Sequence, residues 1–527
     1  MTINVVNLDA MIPRADFTAE SQGQNFSSIN RLSITDLEQG FLIPTLKKPD
    51  FQRETKDWSP TKVYDLIRTF VDGELIPAII LWQTGGNVFV IDGAHRLSAL
   101  LAWVRNDYGD GESTKKFTGI FLPDEQKKVA DRTRSLIHGD LGSYADFKVA
   151  SQKLQSISDP LLGERIKRLG SRALDVQWVP ADNAKAAEKS FFKINEVATP
   201  LDKTEIKILK ARTSPSAIAS RAIINRGVGH EYWKEFKDTV RTDIQQLAKN
   251  LYDSLFLPPL SEPHKSADMP VGGHGYNTLP FVFDLVNSTN HVTVFDAAKL
   301  DETAISALAD KDGAQTVQYL KNVEKLMERI TGPSSVSIGP HPAVYFYTRG
   351  GAFQPSAFLA TAEFLTWLEK NNELIAFCGV RKNFETFLIE HKEFLSRTVH
   401  KFGAGVRSVT PMVELLRKIF ACQKGGMNVP ETVESLRTDP KFSYVFAGIQ
   451  IEAKSGQFGR NTKSAAFLKA LFENPIRCSI CGGMLHGKSI SIDHVTDKKD
   501  GGLATTANAA VAHGYCNSTY KYKRIAA

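Results

Sequence analysis

Two pairs of ligand-type residues near the C-terminus leave little choice about what must form around them. Cys478-Ser479-Ile480-Cys481 and His513-Gly514-Tyr515-Cys516 each set two such side chains three residues apart, a separation that a tight turn can aim at one ion. Three thiolates and one imidazole suit tetrahedral zinc. A second set is interleaved with the first: Asp493-His494, then Asn508, then Asn517 directly after the last cysteine. These are hard oxygen donors with one imidazole, not a zinc-thiolate set. A zinc knuckle that only binds nucleic acid is the plainer reading, but it has no use for Asp493, His494, Asn508 and Asn517 together.

The order Cys-x-x-Cys, Asp-His, Gly-Gly, Asn and Cys-Asn resembles the HNH (ββα-metal) endonucleases over about the last fifty residues. The resemblance implies a β-hairpin bearing Asp493 and His494, a loop bearing Asn508 and a helix that brings in Asn517. Asp493 and Asn517 would hold a catalytic Mg²⁺ or Mn²⁺, His494 would deprotonate water, and Asn508 would fix the hairpin loop and orient His494. An imidazole suits the base role because it exchanges protons near neutral pH. His513 stands where many relatives have cysteine, yet Cys478, Cys481, His513 and Cys516 remain an ordinary structural zinc set.

Charge points the same way. From Lys454 onward the chain carries 11 Lys/Arg against 4 Asp/Glu, an excess equal to the +7 of the whole chain, so everything before it balances. A tail of this kind suits a phosphate backbone, with Lys498, Lys499, Lys521, Lys523 and Arg524 as candidate DNA contacts. A solvated basic terminus without a partner is the alternative.

At 527 residues the chain exceeds one hydrophobic core and is expected to form about three domains. Its apolar runs are too short for a membrane span, and the N-terminus lacks a basic flank followed by an apolar core, so a cytoplasmic protein without a membrane partner is expected. Three of the five cysteines belong to the zinc pattern. Cys378 and Cys422 lie isolated in apolar helical contexts and read as buried small hydrophobes.

Residues 1–40 are polar and show no sustained period, which reads as an N-terminal arm. Ser59-Pro60 opens a helix with Val63, Leu66, Ile67 and Phe70 on one face. Ile76–Trp82 and Val88–Ile91 read as strands joined by Gly85-Gly86-Asn87. The second strand runs into Asp92-Gly93-Ala94-His95-Arg96 and then a helix, a turn that suits an anion because free N–H groups and basic side chains converge there. A plain strand-to-helix joint with Arg96 in a structural ion pair is the alternative. Residues 107–169 read as a polar, loop-bearing insertion, Arg172–Val179 as a strand and Asn183–Ile194 as a helix.

Phe51-Gln52-Arg53, Trp58, the Ile91–Leu97 block, Phe192-x-Ile194-Asn195, Leu201 and Glu205 fall in the order of the ParB-like domain of GmrSD-type restriction enzymes. The resemblance spans roughly residues 41–212 and implies nucleotide binding and hydrolysis that gate an attached nuclease. The usual Asp-Gly-Gln-Gln-Arg block has Ala94-His95 here in place of Gln-Gln. Arg53 and Arg96 would clamp phosphate, with Asp92, Gly93, His95 and Asn195 in the same pocket. Asp202-x-x-Glu205 also fits an N-terminal helix cap.

Residues 213–450 read as a helical spacer, clearest over Gln315–Ile330, where Val317, Leu320, Leu326, Met327 and Ile330 share a face. Ser261–Asn277 reads as a loop, Ser334–Pro342 as a hinge, and Ser455–Arg460 as a flexible stretch that frees the tail for gating. The expected class is α+β multidomain: a ParB-like α/β domain over 41–212, a mainly α-helical region over 213–450 and a zinc-stabilised ββα-metal domain over 451–527. The chain is read as a metal-dependent DNA endonuclease of a restriction or phage-defence type, acting on foreign or modified DNA, with a nucleoside triphosphate as candidate ligand of the N-terminal domain. One such site cuts one strand, so double-strand cleavage calls for a homodimer or two nicks. The alternative is a non-catalytic, nucleotide-dependent DNA clamp anchored by its tail.

Overall fold

The computed structural model describes residues 5–15, 29–38, 42–52, 54–119, 122–153, 157, 159–180, 183–197, 203–274, 278–293, 302–446 and 458–525. The chain divides into two compact units, residues 1–218, 228–237 and 295–311 in the first, residues 219–227, 238–294 and 312–527 in the second. The fold class is α+β, as the sequence predicts.

The first unit is built on a mixed six-stranded sheet of order β1-β3-β5-β4-β6-β2. Its strands are β1 (Arg14–Ala15), β2 (Arg31–Ser33), β3 (Leu46–Pro49), β4 (Ile79–Thr84), β5 (Asn87–Asp92) and β6 (Ala173–Trp178). β4 and β5 form the expected hairpin, but its turn takes only Gly85 and Gly86, with φ of 55° and 77°, while Asn87 pairs with Thr84. Two consecutive positive φ angles match the twist of the flanking strands, and glycine reaches them without strain. The helix Pro60–Val71 starts as predicted, with Ser59 accepting from the Lys62 N–H. Its Val63, Ile67 and Phe70 join Leu97, Leu100 and Leu101 of the helix Ala94–Arg105 in one core.

The lead-in over 1–40 does more than its polarity suggests. Its described parts supply β1 and β2, at the two edges of the sheet, and a buried ionic cluster. The Asp9 carboxylate accepts from Arg14 at 3.1 Å, Lys48 at 2.5 Å and the Thr55 N–H at 2.9 Å. Burial alone would raise this carboxyl, but the two cations outweigh it and hold Asp9 well below the usual range. Strands of two and three residues have no period for a sequence to display. The polar run 21–28 lies outside the described residues.

The expected loop-bearing insertion is mostly helical, with helices Glu112–Thr118, Asp124–Asp140, Tyr144–Ser151 and Pro160–Ser171. Asp107 organises its start by accepting from the backbone of Gly109, Gly111 and Thr114. Val129, Ala130, Thr133 and Ile137 give the second helix a narrow buried face on an otherwise charged cylinder. That stripe is too thin to dominate composition.

In the second unit the helices Asp238–Phe256 and Ala314–Ile330 pack on each other, and Pro355–Lys370, Leu374–Glu390 and Val409–Lys424 share an aromatic core in which Phe364 stacks on Phe384 and meets Phe377 and Phe420 edge-on. The 314–330 helix buries Val317, Leu320, Val323, Met327 and Ile330. Leu326, expected on that face, is only half-buried. The same unit ends in a hairpin of β7 (Ser491–His494) and β8 (Ala509–Ala512), followed by the short helix Lys521–Ile525. No helix among the described residues is long and apolar enough to cross a membrane.

Candidate metal centre and catalytic cleft

Cys478, Cys481, His513 and Cys516 converge: one ligand atom from each lies within 4.8 Å of all the others, and all four residues are buried. The Nδ1 of His513 faces the sulfurs, 3.5 Å from Cys481 Sγ, while its Nε2 lies 3.1 Å from the Met484 carbonyl. A proton on Nε2 donated to that carbonyl leaves Nδ1 as the ligand atom. Burial, with the Arg381 charge second, lowers the imidazole below its usual range and favours the neutral, ligating form. Three crowded thiols and a neutral imidazole fit a divalent ion, and zinc suits that donor set.

The centre is joined to the helical body rather than tethered beside it. Arg381, fully buried on the helix Leu374–Glu390, donates to Glu385 at 2.7 Å and to the carbonyls of Ile338 and Gly339, and reaches to 3.4 Å from His513 Nδ1. Glu385 in turn accepts the Met484 N–H at 2.5 Å. A Cβ on Gly483 would meet Arg381 at 2.5 Å, and one on Gly514 would meet the Ser334 carbonyl at 2.0 Å, so both approaches require glycine. Residues 334–342, expected as a hinge, form part of this seat: Ser337, Ile338 and His341 are buried, and the Ser337 carbonyl accepts from Tyr515. Cys378 is buried as expected, and it also lies beside the centre, where a hydrogen bond with it pushes the Cys516 thiol up. Half of the stretch expected to be flexible, residues 455–457, lies outside the described residues.

The four ligand residues flank the hairpin, Cys478 and Cys481 ahead of β7 and His513 and Cys516 directly after β8, and the Ser479 N–H donates to the Val511 carbonyl of β8. β7 pairs with β8 so that Asp493 faces Ala510 and His494 faces Ala509. Asn508 closes the connecting loop: its Oδ1 accepts from the Thr496 N–H at 2.7 Å and its Nδ2 donates to the carbonyls of Thr496 and Leu503. Gly502 makes room, because a Cβ there would sit 1.8 Å from the Thr496 carbonyl oxygen. Asn517 donates from Nδ2 to Ser491 Oγ at 2.9 Å and to the Ile492 carbonyl at 3.1 Å, which leaves its amide oxygen as the donor for a cation.

Asp493, His494 and Asn517 line one open cleft of about 370 Å³, with Lys498 and Lys499 on its wall. Two residues that sequence reasoning missed line it too, Asp497 and Tyr522. Of the basic residues expected to meet DNA, Lys498, Lys499, Lys523 and Arg524 are exposed. Lys521 is turned inward, with Nζ 3.0 Å from Asp493 Oδ1, 2.7 Å from Asp497 Oδ1 and 2.5 Å from the His494 carbonyl. Burial works against its charge, but the hydrogen bonds to Asp497 and Asp493 outweigh that and raise its pKa. The same bond holds the Asp497 carboxyl below its usual range. Oxygens gathered around an ammonium form a cation-facing set, so the residues fit a hard divalent ion.

In the first unit, Asp92, Gly93, His95 and Arg96 sit together where β5 passes into the helix Ala94–Arg105. Gly93 takes φ 94°, and a Cβ on it would meet Ile79 at 2.5 Å. Arg96 donates to Asp92 at 2.6 Å and to the Ala78 carbonyl at 3.3 Å. His95 stacks on Trp58, with ring centroids 5.5 Å apart, and its Nε2 lies 3.9 Å from Asp57. Gln52 ties its loop to β5 by donating to the carbonyls of Val90 and Ile91. Arg53 and the side chain of Asn195 lie outside the described residues. Asp50 meets His230 at 3.0 Å, a contact across 180 positions for which the sequence carries no signal.

Comparison with known families matches residues 32–214 to the N-terminal domain of the GmrSD restriction endonucleases and residues 478–523 to the HNH endonucleases. No curated protein and no solved structure matches the chain.

Proposed function

From a chain that unites a GmrSD restriction endonuclease N-terminal domain with an HNH endonuclease domain, and is thereby a restriction-type nuclease with DNA as its substrate, we propose a metal-dependent DNA endonuclease gated by that N-terminal domain. One observation carries the reading: Asp493, His494 and Asn517 line a single cleft whose loop is pinned by Asn508. His494 takes the proton of the attacking water. Asp493 and the amide oxygen of Asn517 hold a divalent ion, and Asn508 keeps the 495–508 loop from carrying His494 out of line. A bound Mg²⁺ or Mn²⁺ would polarise the scissile phosphate and offset the charge on the leaving oxygen. Lys498 and Lys499 meet neighbouring phosphates, with Lys523 and Arg524 extending the basic surface.

In the first unit the proposed ligand is a nucleoside triphosphate at the Asp92–Arg96 turn. Its phosphates meet the N-terminus of the helix Ala94–Arg105 and the Arg96 guanidinium. Recognition of modified or phage DNA, and a homodimer for double-strand cleavage, extend the same reading.

The test is cleavage of modified and unmodified phage DNA with Mg²⁺ or Mn²⁺, with and without nucleoside triphosphates. His494→Ala is expected to lower cutting by roughly 10²–10⁴-fold while zinc content and DNA binding persist. Undiminished cutting by that variant sinks the assignment, and binding without cutting under every condition favours the clamp.

A further inference from the structure

Both proposed ligands of the catalytic ion, Asp493 and Asn517, follow from the motif; Lys521 does not behave as the tail's charge pattern suggests. Its ammonium is surrounded by Asp493 Oδ1 at 3.0 Å, Asp497 Oδ1 at 2.7 Å and the His494 carbonyl at 2.5 Å. It lies four residues after Asn517, across a π-turn over Cys516–Tyr520, so the segment that presents one proposed ligand also presents this cation. The three side chains are largely shielded, with exposures of 13% for Lys521, 6% for Asp493 and 15% for Asp497. Tyr522, the next residue, donates to Asp497 Oδ1 at 3.3 Å and steadies that carboxylate.

We propose that Lys521 is a tethered competitor for the catalytic divalent ion, holding Asp493 and Asp497 together until the ion displaces it. The inference rests on the nuclease reading of the cleft and adds regulation to it. A divalent ion entering beside Asp493 competes with the ammonium for Oδ1, and the repulsion between two cations on one carboxylate weakens the binding of each. The displaced ammonium sits on a flexible four-carbon stem and can turn toward the cleft mouth, where the substrate's phosphate offers a new partner. Ion affinity is thus held down without DNA, and bound phosphate raises it by giving the lysine somewhere to go.

Mn²⁺ binding to the zinc-loaded full-length chain, followed by titration calorimetry without DNA, tests this. Lys521→Met is expected to bind Mn²⁺ about tenfold more tightly than the unsubstituted chain. Lys521→Arg, which keeps the charge, is expected to show no such gain, and Asp493→Asn to lose the site. Zinc content reports whether each variant has folded. Equal Mn²⁺ affinity in folded Lys521→Met and the unsubstituted chain overturns the competition while leaving the nuclease reading in place. Absence of an Asp493-dependent Mn²⁺ site in Lys521→Met as well, and in the unsubstituted chain with DNA bound, removes the nuclease reading itself.

Discussion

Two sites in this chain share a device. In each, a carboxylate on a strand is held by a basic side chain from the helical segment that follows: Asp92 by Arg96 in the first unit, Asp493 by Lys521 in the second. The difference lies in how far the partners travel. Arg96 is four residues from Asp92, and a strand entering a helix brings such a pair together with no ligand in view. Lys521 is 28 residues from Asp493, and meets it only because the Cys478, Cys481, His513 and Cys516 centre, the Asn508-pinned loop and the Asn517 bonds all form. Local convergence is a weak sign of chemistry, whereas convergence assembled from distant residues at the cost of a metal centre is a strong one.

The sharpest way to break the second site is to remove what assembles it. Cys478→Ser deletes one of four converging ligands, and structural zinc supplies on the order of 10 kcal/mol of folding energy to small modules. The variant is expected to lose its zinc and the protease resistance of the tail, whereas the Asp92–Arg96 turn needs no such support. Zinc content together with limited proteolysis reads both. Retained zinc would mean that the ligand set is misassigned.

A smaller effect probes the seat of that centre. Arg381→Met leaves Glu385 buried without its cationic partner, a change that costs about 3–5 kcal/mol when one member of a buried pair is removed. The midpoint of chemical denaturation should fall accordingly, and adding Glu385→Gln should recover part of it, since a neutral amide can still accept from Met484. Unchanged stability in Arg381→Met would show that the buried pair contributes nothing net to the fold.

The tail was the most legible part of the sequence because its chemistry fixes its spacing. Cys478, Cys481, His513 and Cys516 can serve one ion only at such separations, and Asp493, His494 and Asn517 then have one cleft to line. The β4–β5 hairpin was legible for a similar reason, since Gly85-Gly86 permits few turns. What stayed hidden depends on contacts between distant side chains. Asp497 and Tyr522 look like ordinary surface residues until Lys521 brings them together. Arg381 reads as one more helical arginine, and nothing in Ser334–Pro342 announces a seat for a metal centre. The Asp9, Arg14 and Lys48 cluster escaped in a lead-in whose strands are too short to show a period.

A further contrast within the second unit sets a lysine paired with carboxylates against a fully buried one without them. Lys521 has two, and its pKa is raised. Lys392 is fully buried with the Val344 carbonyl as acceptor, and burial pushes it down to about 7 from an ordinary 10.5. Between those values the unfolded chain binds more protons than the folded one, so stability must rise with pH through that window. Melting temperature is expected to climb between pH 7 and about 10, and the climb should flatten in Lys392→Met, which packs without a charge to neutralise. An equal climb in both would place the effect elsewhere.

The smallest expected effect decides how far the parallel between the two sites extends. The Asp92–Arg96 pair is partly exposed, so breaking it with Arg96→Gln should cost no more than about 1 kcal/mol and barely move the melting temperature. If the turn is also an anion site, the same substitution removes a guanidinium that a nucleotide's phosphates would engage two oxygens at a time. Binding of a nucleoside triphosphate with Mg²⁺ to the full-length chain should then weaken about tenfold, with the fold intact. A small stability loss alongside unchanged or undetectable nucleotide binding would make Arg96 a structural partner of Asp92 alone. The likeness to Lys521 and Asp493 would then stop at geometry, because only one of the two cations would have a ligand to yield to.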